Sequence, residues 1–85
     1  MIIYLTSQFR KSYKKLPVFL KKKAKEKDEI FRRNPFAPAL RAHKLKGKLA
    51  NYWSYSVNIN YRVLFRFIDK NSGIYFDVGT HQIYK

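Results

Sequence analysis

The chain has no cysteine, which excludes a disulfide framework and thiolate metal sites and gives no sign of export. It is also poor in acids: five Asp and Glu stand against nineteen Lys and Arg in 85 residues, a formal net charge of +14. No apolar run approaches the ~20 residues of a membrane span. Met1 to Leu5 is too short for a signal peptide and leads at once into polar residues, so a cytoplasmic setting and no membrane partner are expected. There is no glycine-rich phosphate loop and no dinucleotide fingerprint. With two histidines and no cysteine, neither a metal site nor a cofactor is expected. Asp28 and Glu29 read as a helix-surface pair, not a cage.

What is present is positive charge and aromatic matter. Like charge at this density penalises compaction, and the usual reason to tolerate it is an acidic or polyanionic partner. Phosphate backbones are the commonest such partner. Hydrophobic residues make up 46% and aromatic residues 18%, enough for a core and too many for a disordered basic tail. One domain spanning 1–85 is expected.

Met1 to Leu5 reads as a buried strand. Thr6 or Ser7 offers an N-cap oxygen, and Phe9, Tyr13 and Leu16 share one side of a first helix. Pro17 suits the first turn of a second helix, with Leu20, Ala24 and Phe31 on its apolar stripe and lysines outside it. Asn34-Pro35 ends that helix. From Pro35 to Asn51 the chain is irregular and basic. The period then becomes two: Trp53, Tyr55, Val57 and Ile59 alternate with Ser54, Ser56, Asn58 and Asn60, with Trp53 read as core. Tyr61 to Ile68 is a second strand, Asp69 to Gly73 a turn, and Ile74 to Val78 a third strand. The order β-α-α-β-β-β predicts a small α+β domain: an antiparallel meander sheet with a helical hairpin packed on one face and the other face open.

That open face is where chemistry is expected. If the odd positions of the second meander strand face the helices, Arg62 and Arg66 project from the opposite side, where a guanidinium can grip phosphate bidentately. Ser54, Ser56 and Asn58 extend the same polar face. The same pattern also describes a solvated strand face. His81 follows the last strand, and histidine is the side chain whose charge changes near neutrality. His43 lies in the basic segment, where Lys44, Lys46 and Lys48 flank Gly47 and can hold a phosphate backbone. Tyr84 can stack on a base, supply a phenol near a phosphate, or simply anchor the tail. Asp69 and Asp77 can in principle pair with the strand arginines and orient them.

The stretch His43-Lys44-Leu45-Lys46-Gly47, then Tyr52-Trp53-Ser54, Tyr61-Arg62-Val63, and Val78-Gly79-Thr80-His81 with Tyr84, resembles the RelE/ParE superfamily of toxins from bacterial type II toxin–antitoxin systems. The resemblance covers nearly the whole chain and leans toward the RelE-type mRNA interferases. It implies metal-independent endoribonuclease cleavage of mRNA, generally on the translating ribosome, and neutralisation by a cognate acidic antitoxin. Carried over by position, it implies that Arg62 stabilises the charge on the scissile phosphate, that His81 is the general acid or base, and that Tyr84 assists proton transfer or stacks on substrate. Lys44 and Lys46 match the RNA-binding basic segment, and His43 stands where some relatives also use histidine. Two other readings remain open: a ParE-like, non-enzymatic inhibitor of DNA gyrase, and a passive basic RNA-binding domain.

Overall fold

The computed structural model describes residues 1–84; Lys85, the last residue of the expected domain, lies outside them. In chain order the elements are β1 (Ile2–Leu5), α1 (Ser7–Lys15), α2 (Val18–Arg33), β2 (His43–Lys44), β3 (Trp53–Ser56), β4 (Arg62–Asp69) and β5 (Ser72–Gly79). Short 3-10 turns occupy Pro38–Leu40, Gly47–Leu49 and His81–Tyr84. The α+β arrangement is as expected from the sequence, with the helices on one face of a five-stranded sheet ordered β1-β5-β4-β3-β2. Strands β2 to β5 pair antiparallel, and β1 joins the edge parallel to β5. Among the described residues no helix is long and apolar enough to cross a membrane.

Helix boundaries follow local chemistry. Thr6 is the N-cap of α1: its Oγ1 accepts the Phe9 N–H at 3.0 Å and donates to the Phe76 carbonyl at 2.9 Å. One hydroxyl therefore starts the helix and ties it to β5, a cap whose loss costs about 1 kcal/mol. Leu16 precedes proline and is extended (φ −67, ψ 143), which stops α1 there. Pro17 is the N-cap of α2, one position earlier than the first-turn site expected for it. Asn34, again before proline, closes α2 in extended geometry.

Phe31 is the hub of the core. It is fully buried, with ring centroids of Phe65 at 4.8 Å, Tyr55 at 5.1 Å and Tyr75 at 5.6 Å. Truncating such a ring to alanine costs about 3–5 kcal/mol. Leu20 and Ala24 complete the α2 stripe, Phe9 and Leu16 come from the α1 side, and Trp53 packs against the cluster.

Several details differ from the sequence reading. The alternation from Trp53 to Asn60 does not make one strand: β3 stops at Ser56, and Ile59 is 87% exposed on the connecting turn. There the Asn58 side-chain oxygen accepts the N–H groups of Asn60 and Tyr61 at 2.9 and 2.8 Å, so local hydrogen bonds replace the ladder. β1 is an edge strand with Ile2 and Tyr4 exposed, not a buried one. The segment 35–51 is less irregular than expected, holding β2 and two 3-10 turns.

Candidate nucleic-acid site on the sheet

Side chains at paired positions of a sheet share a face. The register aligns Ser56, Arg62 and Gly79 in one row and His43, Ser54 and Leu64 in the next. Tyr55, Val63 and Phe65 are in the core beneath the helices, so Arg62, His43, Ser54 and Ser56 belong to the opposite face. Arg62 opens β4, the middle strand of the five. A groove of ≈ 280 Å³ is lined there by Arg41, His43, Ser54, Ser56, Ile59 and Arg62.

The face is less open than expected, because the 3-10 turn His81–Tyr84 folds back against it. Gly79 permits this approach: a Cβ at that position would sit 2.8 Å from Ile83 Cγ2. The Tyr84 hydroxyl then donates to Ser54 Oγ at 2.6 Å. The Arg62 guanidinium carbon lies 5.9 Å from the centroid of the Tyr84 ring, within cation–π range. Ser54 and Leu64 are consequently buried.

Two features set the electrostatics. First, the only ion pair among the described residues is Arg32 with Asp28, on α2. The expected pairing of Asp69 and Asp77 with strand arginines does not occur. Asp69 Oδ1 accepts from the Asn71 amide and the Ser72 hydroxyl, and these bonds, the amide first, hold its carboxyl below the usual range. Asp77 accepts from the Val78 N–H. Among the described residues Arg62 therefore has no carboxylate partner, and its Nε is buried without a hydrogen-bond partner, a costly state for a charged donor.

Second, His43 Nδ1 lies 3.1 Å from the Arg41 carbonyl oxygen. A carbonyl can only accept, so Nδ1 donates in this contact, and in the neutral ring that leaves Nε2 as the acceptor. His81 sits exposed on the terminal turn that carries Tyr84.

The remaining sequence candidates spread outward. Lys44 pairs with Trp53, so alternation puts it on the opposite face of β2 from His43. Lys46 and Lys48 are exposed around the Gly47 turn, where Gly47 takes φ 68. Arg66 is exposed further along β4, its guanidinium carbon 5.6 Å from the Tyr52 ring centroid. The fold thus gathers Arg62, His43 and Tyr84 and leaves the lysines at the margin.

Arg41 was not singled out by sequence reasoning. It reaches the groove from a left-handed backbone (φ 51), which a non-glycine residue adopts rarely; nothing in the residue string signals that. Among the described residues, no group of three or more His, Asp or Glu side chains could hold a metal ion.

The sequence model for the RelE-like toxin of the type II toxin–antitoxin system HigB matches residues 8–79. Curated proteins give no match. Solved structures do. The YoeB/ParE toxin from Agrobacterium tumefaciens has a TM-score of 0.81 at 21% identity, over 95% of this chain and 99% of that one. The RelBE2 toxin–antitoxin complex from Mycobacterium tuberculosis gives 0.79 at 22% identity, over 93% and 95%. The YoeB–YefM complex from Staphylococcus aureus gives 0.77 at 24% identity, over 95% and 97%. These likenesses carry the fold, while the sequence model carries the family: the chain belongs to the HigB group of RelE-like toxins of type II toxin–antitoxin systems.

Proposed function

We propose that this toxin, a single domain over 1–85, is a metal-independent endoribonuclease that cleaves mRNA on the translating ribosome in the cytoplasm. The observation that carries the reading is the groove in which Arg62 and His43 meet beside Tyr84, on the sheet face turned away from the helices.

RNA brings its own nucleophile, the 2′-OH. Its oxygen attacks the adjacent phosphorus, the bond to the 5′ oxygen breaks, and the products are a 2′,3′-cyclic phosphate and a 5′-hydroxyl. One group must take the 2′ proton and another must protonate the departing oxygen. His43, with Nε2 free to accept, is suited to the first task, and His81 on the terminal turn to the second. Arg62 stabilises the phosphorane-like charge on the scissile phosphate. Tyr84 holds the guanidinium through its ring and borders the substrate. Lys46, Lys48 and Arg66 hold the RNA backbone beyond the groove, while Lys44, on the other face of β2, does not share in this.

The partner proposed is an acidic antitoxin segment that orders on contact with this cationic surface. Two of the similar structures are toxin–antitoxin complexes, and a charge of +14 suits an acidic partner.

The test is mRNA cleavage in a translation extract by the parent, Arg62→Ala and His81→Ala. Removing one stabilising donor should slow cleavage by about 10²-fold or more. If both variants cut like the parent, the assignment is wrong. If mRNA stays intact while purified gyrase loses supercoiling activity, the ParE-like reading replaces it.

A further inference from the structure

We infer that the groove continues into a second subsite, built by Arg41 and Ile59, that holds the RNA strand beside the cleaved linkage. This rests on the ribonuclease reading and extends it from one phosphate to several nucleotides of unpaired RNA. A second hollow of ≈ 540 Å³ is lined by Lys27, Pro38, Ala39, Arg41, Ser56, Asn58 and Ile59. It shares Arg41, Ser56 and Ile59 with the first. The two hollows adjoin at these residues, one reaching Arg62 and His43 and the other Lys27 on α2.

The walls of these hollows are fixed. The Ser56 hydroxyl donates to the Asn58 carbonyl at 2.8 Å, and the Asn58 side-chain oxygen accepts the amides of Asn60 and Tyr61. Ile59 is thus exposed on a pinned turn, where an apolar side chain gains nothing from folding. On the other wall, Lys27 Nζ donates to the Ala39 carbonyl at 2.9 Å, fastening α2 to the Pro38–Leu40 turn. Arg41 follows in left-handed geometry, with no carboxylate partner among the described residues. Its carbonyl orients His43 while its side chain lines both hollows. A cation and an apolar platform along adjoining hollows are what a single strand needs: Arg41 binds a flanking phosphate, and Ile59 carries the face of a base or ribose.

The experiment measures affinity of uncleavable 2′-O-methyl dinucleotide and hexanucleotide RNAs across a salt series. The proteins are the parent, Arg41→Asn (asparagine tolerates the left-handed backbone) and Ile59→Ser. The parent should bind the hexanucleotide about tenfold more tightly, with a salt slope set by the phosphates it contacts. Arg41→Asn should lose most of that gain and lower the slope by about 0.7. Ile59→Ser should lose gain at unchanged slope. Variants that keep the full gain, or a parent that binds neither oligonucleotide or both alike, overturn the subsite. If the length effect holds but natural RNA stays uncut, the subsite stands and the ribonuclease reading falls. If the parent cuts RNA and the variants bind like the parent, the reverse follows.

Discussion

At the scale of single residues, two buried phenols lie in the core. Tyr75 donates to Asp28 Oδ1 at 2.7 Å, while Arg32 engages Oδ2 of the same carboxylate at 2.9 Å. Tyr55, 1% exposed and beside Tyr75, has no partner in hydrogen-bond geometry for its hydroxyl among the described residues. Burial, foremost, pushes both phenols well above the ordinary tyrosine value; at Tyr75 the neighbouring Tyr55 adds to it ahead of the Asp28 carboxylate. Raised phenols leave stability whole below the unfolded value of about 10 and remove it as pH climbs toward the folded value. Alkaline titration by phenolate absorbance should therefore show Tyr55 and Tyr75, two of the seven tyrosines, ionising only as the fold is lost. All seven titrating together near pH 10 with intact circular dichroism would contradict this. Asp28 also shows why side-chain partnerships were not legible: its mate lies 47 positions away. The helical period marks the face of α2 on which it sits, but not what crosses to meet it. Arg62 was legible, because period two alone assigns its face.

At the scale of elements, the proposed site depends on the C-terminal turn, whose Tyr84 meets Ser54 and Arg62. Adding a methyl at Gly79 drives it into Ile83 Cγ2 and should push Tyr84 off Ser54 and away from Arg62. Gly79→Ala should then keep the fold while cleavage falls by up to about 10²-fold, the usual penalty for an ångström of misplacement. Pairing it with Ile83→Ala, which removes the opposing methyl, should restore much of the rate. A Gly79→Ala protein as active as the parent would show that the turn does not organise the groove. The helices and the two long strands were readable because caps, prolines and alternation are local signals. The end of β3 was not, since the alternating pattern runs on through Ile59 although Asn58 captures the backbone. β2, two residues long, leaves no periodicity to detect. The parallel seat of β1 against β5 joins residues 70 apart, a pairing no local pattern announces.

At the scale of the whole molecule, a charge of +14 is carried on a body of 31 × 28 × 24 Å. More than half of the cations sit on α1 and α2, on the far side of the sheet from Arg62. The surface thus attracts polyanions from both sides, which favours fast capture of RNA or of an acidic antitoxin and makes both salt-sensitive. Charge alone does not distinguish a nuclease from a passive binder; the proposal of cleavage rests on the convergence of Arg62, His43 and Tyr84. The direct measurement uses purified toxin and programmed ribosomes carrying an mRNA with one 2′-deoxy nucleotide at the mapped cleavage position, beside its all-ribose twin. The all-ribose message should be cut to a 2′,3′-cyclic phosphate end and the substituted one left whole at that position. Cutting at the deoxy position, or no cutting of either message, would contradict the account.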